Sequence, residues 1–183
     1  GEYPKKSNDY GRIISEKHLV RLVEFLSDGR LLFGGNYDLK ERYLGPSILE
    51  LDGWDHPVMK EEIFGPILPV LEFENINEVI QVINENPKPL ALYLFTKNKR
   101  EINQILQEVS FGGGCINDTM IHLASNELPF GGVGESGMGQ YHGKYSFETF
   151  SHQKSILNKS FKPDFDLRYP PYGKNIGKLK KFM

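Results

Sequence analysis

Cysteine is almost missing from these 183 residues, with Cys115 standing alone. An internal disulfide is therefore excluded, and a reducing compartment, the cytoplasm, is the expected setting. Charge of one sign is lacking as well. Lys and Arg total 22 against 24 Asp and Glu, and the net charge of -2 sets up no field toward nucleic acid. No apolar run is long enough to span a bilayer, and no secretory signal opens the chain. The histidines, His18, His56, His122, His142 and His152, form no close pair at metal-ligand spacing, so no metal site is expected. Internal repeats and low-complexity blocks are absent. An initiating Met is also missing: the chain opens on Gly1, and the expectation is that it is the later part of something longer. What is present is a globular composition, 39% hydrophobic and 12% aromatic, enough for one domain with its own core.

Local signals divide the chain. A first helix is expected from a Ser15 N-cap to about Ser27. Leu19, Leu22, Val23 and Leu26 share one face of it, and Gly29 offers a left-handed residue to end it. Leu31–Phe33 reads as a short strand closed by Gly34-Gly35, and Asn36–Arg42 as a polar surface loop. Tyr43–Leu51 reads as an extended segment interrupted at Gly45-Pro46. From Leu68 an alternation sets in. The strand Leu68–Phe73 is followed by a helix with an Asn75/Glu78 capping pair and a stripe of Ile76, Val79, Ile80 and Ile83, stopped by Pro87. Leu90–Phe95 is a continuous apolar run, as in a strand covered on both faces. Asn98 and Glu101 repeat the cap, Ile102, Ile105, Leu106 and Val109 repeat the stripe, and Cys115-Ile116 begins another strand. This βαβαβ order implies an α/β fold, a parallel sheet with flanking helices.

Two stretches do not read as framework. Glu61-Glu62-Ile63-Phe64-Gly65-Pro66 stands directly before an apolar run, and loops at strand ends are where α/β proteins place chemistry. A carboxylate there can accept hydrogen bonds from a diol, and Phe64 offers a flat face to a ring. The plain alternative is a turn with a solvated acidic pair and a core Phe. The second stretch packs five glycines between Gly131 and Gly139, a density that points to a loop lying close against something. Gly132–Gly137 fits Gly-x-Gly-x-x-Gly, but no strand precedes it and no helix follows, so a dinucleotide fingerprint is rejected.

The hexapeptide resembles a signature of the aldehyde dehydrogenases. Leu128–Gly139 resembles that family's Pro-Phe-Gly-Gly loop. Tyr10–Ile14, Lys88–Tyr93, Tyr141–Lys144 and Ser146–His152 are similar to its class 3 branch, which includes fatty aldehyde dehydrogenases. The resemblance runs from near Tyr10 to about Pro171, in the family's order. It implies oxidation of medium- to long-chain or aromatic aldehydes with NAD or NADP, by a cysteine thiolate, a hydride transfer and a glutamate base. It implies that Glu62 takes the ribose hydroxyls next to the nicotinamide and that Phe64 packs on the nicotinamide. Met120, Ile121, Leu123 and Ala124 match a segment walling the aldehyde pocket, with Phe130 and His142 beside it. Ordinary core packing is the alternative for these six.

The same resemblance places the nucleophilic cysteine, the general base, the oxyanion-hole asparagine and the cofactor-binding half before Tyr10, so no catalytic residue is expected here. Cys115 is expected to be a small hydrophobe on a strand, without the exposure or the neighbour that a reactive thiolate needs. The expected organisation is a C-terminal portion of the catalytic domain over 1–146, an oligomerisation strand over 147–160 and an extended tail over 161–183. Phe147–Leu157 would be the strand that builds a homodimer. The tail, with Lys174, Lys178, Lys180 and Lys181, is a solvated segment or makes weak contact with anionic lipid, at most ~1 kcal/mol per lysine. A rival reading is a non-catalytic accessory or assembly module that keeps only the dimerisation surface.

Overall fold

The structure, a computed structural model, describes residues 3–164, 169–170, 177 and 180. Helix α1 spans Glu16–Phe25 and starts where expected, with Ser15 Oγ accepting from the His18 N–H. Its stripe buries Leu19, Leu22 and Phe25. Gly29 does not have the left-handed backbone predicted for it. The chain needs glycine there for space, since a Cβ would sit 2.6 Å from Leu51 Cδ2 and press on the Glu50 carbonyl.

Strand β1, Arg30–Phe33, ends at Gly34 and Gly35, which take φ of 82° and 81°. The segment read as a polar loop contains β2, Tyr37–Asp38, which pairs antiparallel with β3, Tyr43–Leu44. Strand β4, Ser47–Glu50, lies between β1, antiparallel to it, and β5, Ile67–Val70, parallel to it. Together these three strands form one mixed sheet.

Helix α2, Ile76–Glu85, is capped by Asn75 Oδ1, which accepts from the Asn77 and Glu78 N–H groups. Strand β6, Ala91–Leu94, helix α3, Lys99–Glu108, and strand β7, Gly113–Ile116, follow in the predicted order. Asn98 caps α3, and Glu101 bonds both Asn98 and Thr96. The single parallel sheet expected from this order is not formed. β5 takes β4 as its partner, and β6 pairs with β7 in a separate two-stranded parallel sheet. The order of strands is a local property, whereas pairing depends on which edge is free. Nor is the run Leu90–Phe95 covered on both faces, because Leu90, Tyr93 and Phe95 are exposed.

Among the described residues two cores form, one on the β1–β4–β5 sheet and one on the β6–β7 sheet. Leu19, Leu22 and Phe25 of α1 pack on Leu44, Leu49, Leu51, Val58 and Ile67. Ile80 of α2 and Ile105 and Val109 beside β6 form the second, with Leu92, Leu94 and Phe111 against it.

A further difference lies near the C-terminus. Helix α4, Gly143–Thr149, takes the first residues of the strand predicted over Phe147–Leu157, and the remainder is neither helix nor strand. Ser146 supports the helical turn by bonding the His142 N–H through its hydroxyl. The tail expected over 161–183 falls mostly outside the described residues. Among the described residues no helix is long and apolar enough to cross a membrane.

Candidate functional site

The hexapeptide lies between a 3-10 turn, Pro57–Met59, and the amino end of β5. Its entry into the sheet is fixed by Gly65, where a Cβ would lie 2.5 Å from Leu22 Cδ1 in the α1 core. Phe64 just before it has φ of 49°, a left-handed conformation rare for a bulky residue. Its ring is 73% exposed rather than in the core, so the plain reading of a buried Phe does not hold. Glu62 is exposed, and among the described residues its carboxylate has no hydrogen-bond or ion-pair partner. The acceptor and the flat ring expected to meet a cofactor are both displayed and unengaged. An exposed carboxylate acceptor and an open ring face have the chemistry that a ribose diol and a nicotinamide would need.

Two side chains of α1, neither singled out from the sequence, hold this loop by its backbone. His18 Nε2 lies 2.8 Å from the Phe64 carbonyl oxygen. Arg21 Nη2 donates to the Ile63 carbonyl at 2.6 Å and to the Glu62 carbonyl at 3.4 Å. The Arg21 guanidinium rests over the Phe25 ring, and its Nη1 is 2.8 Å from Glu61 Oε1. That last pairing is one of charge, because its geometry leaves Nη1 without a hydrogen bond. A signal was available in the i, i+3 spacing of His18 and Arg21 along the edge of the buried stripe.

The six residues expected around the aldehyde form a second locus. Met120 takes a left-handed turn, φ 60°, into the 3-10 helix Ile121–Ala124, and Met120, Ile121, Leu123 and Ala124 are exposed. Phe130 pairs with Tyr141 through a two-way backbone bridge and packs its ring against Tyr141 at 5.4 Å and His142 at 6.2 Å. His142 Nδ1 bonds the Leu128 carbonyl oxygen at 3.1 Å. What joins the turn to the loop is His122, missed by the sequence reading. It is only 7% exposed, and its ring sits 5.8 Å from both Tyr93 and Phe130. The glycine-rich segment packs as expected, with Gly112 so near the Gly131 carbonyl that no Cβ fits. It contains only a short 3-10 turn, Gly134–Ser136, which agrees with rejecting a dinucleotide fingerprint.

Cys115 lies on β7 as predicted, but it is partly exposed and has a neighbour. Its Sγ is 3.4 Å from His122 Nδ1. Spacing did not reveal this pair, because it forms only when the turn after β7 folds back. No hydrogen bond or ring contact among the described residues links the Glu62–Phe64 loop to the Phe130–His142 locus. No group of three His, Cys, Asp or Glu side chains suited to a metal ion occurs among the described residues.

A cleft of about 390 Å³ beside the loop is lined by Phe33, Pro46, Ile48, Pro66 and Leu68. A larger one, about 530 Å³, lies elsewhere, among Asp28, Arg30, Glu50, Asp52, His56 and Glu72. It has acidic walls, and the hydrogen bond from His56 holds the Asp52 carboxyl below its usual range. Its chemistry matches neither locus, so its size alone does not make it the site.

The site thus consists of a displayed acceptor and ring on one strap and a partly apolar, aromatic-backed turn on another. A model of the aldehyde dehydrogenase family matches residues 1–156, and the chain belongs to that family. It is 48% identical over 184 residues to the mouse (Mus musculus) aldehyde dehydrogenase family 3 member A2, covering all of this chain and 38% of the relative. The dimeric NADP-preferring aldehyde dehydrogenase of Rattus norvegicus is 47% identical over 173 residues, 93% of this chain and 38% of that one. The solved substrate-bound state of Staphylococcus aureus AldH superposes with a TM-score of 0.85 at 48% identity, covering 97% of this chain and 39% of the other. The chain thus spans under two fifths of the length of these relatives.

Proposed function

We propose that this chain is the C-terminal part of an NAD(P)-dependent aldehyde dehydrogenase that oxidises medium- to long-chain or aromatic aldehydes to carboxylic acids. The observation that carries it is the strained loop that displays Glu62 and Phe64 together. When bound, NAD or NADP supplies the hydride acceptor. The Glu62 carboxylate accepts hydrogen bonds from vicinal ribose hydroxyls, and Phe64 offers its face to the nicotinamide and limits how far the ring can tilt. Met120, Ile121, Leu123 and Ala124 wall the aldehyde chain, with Phe130 and His142 behind them. Apolar, exposed side chains at these positions support a hydrophobic substrate. The thiolate, base and oxyanion donors belong to a preceding segment, and the chain by itself is inactive. The experiment is Glu62→Gln in the intact enzyme. A hydrogen bond to a charged acceptor contributes ~1.5–3 kcal/mol, so cofactor use weakens tenfold or more while aldehyde KM changes far less. Unchanged cofactor KM and kcat would sink the assignment.

The segment after α4 supports a second element of the reading, docking on a neighbouring subunit. Phe150 and Leu157 are each 89% exposed, and Phe147 and Ile156 are exposed beside them. A strand whose partner is another subunit forms no ladder within one chain, and pairing would remove the liability of this apolar run. The same run is what favours the rival, an accessory module that assembles without catalysing. NADH formation by the intact protein, given an aldehyde and NAD, separates the two.

A further inference from the structure

We infer that His18 and Arg21 of α1 are positioning residues for the nicotinamide end of the cofactor site, acting through the backbone of residues 62–64. The inference rests on the reading of Glu62 and Phe64 given above. The loop needs an external hold. A left-handed φ at a phenylalanine is sparsely populated and persists only where the surroundings over-determine it. Three successive carbonyls, of Glu62, Ile63 and Phe64, point toward α1 and are taken by two side chains one helical turn apart. With its carbonyls fixed, the loop can turn the Glu62 carboxylate and the Phe64 ring outward. Gly65 and Leu22 close the other side and Ile63 packs on the core, so the strap is held while the Glu62 and Phe64 side chains stay free.

The hydrogen bonds also assign the state of His18. A carbonyl can only accept, so Nε2 carries the proton toward Phe64. A guanidinium can only donate, so Nδ1, 3.3 Å from Arg21 Nη2, must present its lone pair. The clamp is complete only with a neutral imidazole. Protonation sets a donor against a donor and a second positive charge beside Arg21. The charged groups near the ring are Arg21 on its own helix and Glu61, which is paired with Arg21. Glu61 offsets part of the added charge but cannot restore the lost acceptor. A ring that gains a proton loosens the clamp, and cofactor binding weakens with it.

The test is steady-state kinetics of the intact enzyme with NAD or NADP varied, from about pH 5.5 to about pH 8. Arg21→Ala and His18→Leu should each raise cofactor KM by about tenfold, with aldehyde KM within about twofold. His18→Gln keeps an amide donor at the position of Nε2 and cannot be protonated. It should restore near-parental KM at neutral pH and abolish the rise at acid pH. Arg21→Lys retains the charge but not the fork, and should fall between parent and Arg21→Ala. If Arg21→Ala is insoluble, Arg21→Lys and the two His18 variants carry the test. Cofactor KM unmoved in these variants, while Glu62→Gln raises it, overturns the clamp and leaves the function standing. No effect of Glu62→Gln overturns the function reading itself. An acid limb that survives in His18→Gln overturns the role of the imidazole.

Discussion

Replacing Gly65 by alanine puts a methyl group where Leu22 already is. The added Cβ would lie 2.5 Å from Leu22 Cδ1, 2.7 Å from Cδ2 and 3.2 Å from Cγ, all inside van der Waals contact. Gly65 is not in the left-handed region, so the backbone tolerates alanine and the whole cost is packing. Leu22 is 0% exposed and enclosed by Leu19, Phe25 and the β4–β5 face, so it has no free space to swing into. Overpacking of this kind costs about 1–3 kcal/mol. Leu22→Ala alone costs about 2–5 kcal/mol, because the cavity only partly collapses. The double variant should cost less than the sum, by about 1 kcal/mol or more, since the new methyl enters the space that Leu22 leaves. Urea unfolding followed by the fluorescence of Trp54, the single tryptophan, reads the change, since Trp54 shares a cleft with Met59 and Leu71, which pack against this core. A Gly65→Ala midpoint equal to the parent's, or strict additivity in the cycle, would refute the contact between loop and helix.

Other outcomes follow from other parts of the molecule. Asp52 should titrate below 3.8 because His56 hydrogen-bonds its carboxylate; this stabilisation is present above 3.8 and lost as pH falls through the lowered value. In an NMR titration His56→Leu should return Asp52 toward 3.8, and an unmoved midpoint would contradict the pairing. Cys115→Ala in the intact enzyme should retain most turnover even though it removes the partner of His122 Nδ1. Loss of turnover with the circular dichroism unchanged would make Cys115 catalytic. Deleting everything after Ser146 should give monomers or insoluble protein, and a soluble, active dimer in sedimentation would count against docking through that segment.

The elements legible in the sequence are those whose causes are local. Ser15, Asn75 and Asn98 each accept from N–H groups within three residues, and the helices begin where those side chains say. Pairing was not legible, because the partner of β5 is β4, some 20 residues back, with Ser47 set against Ile67. Gly29 and Phe147 misled for related reasons. The first answers to the Glu50–Leu51 backbone and side chain, and the second to a turn stabilised by Ser146 and His142. At the candidate site Glu62 and Phe64 came from a contiguous hexapeptide. His18 and Arg21 did not, because they meet that hexapeptide across 46 and 42 residues of sequence. His122 was passed over as an isolated histidine, and only the fold sets it between Tyr93 and Phe130.

The two cores share no residue, and that has a consequence for cooperativity. Eight buried residues hold α1 to the β4–β5 layer, while three hold α2 and α3 to β6 and β7. Local opening therefore divides along this seam, and amide exchange in β6, α3 and β7 should outrun that in α1 and β4. Strand β7 leads directly into the Met120–Ala124 turn, whereas Phe64 is tied to α1. On the proposed reading, the side assigned to the aldehyde lies in the unit expected to open first and would adapt to chains of different shape. The side assigned to the cofactor keeps its form through those fluctuations.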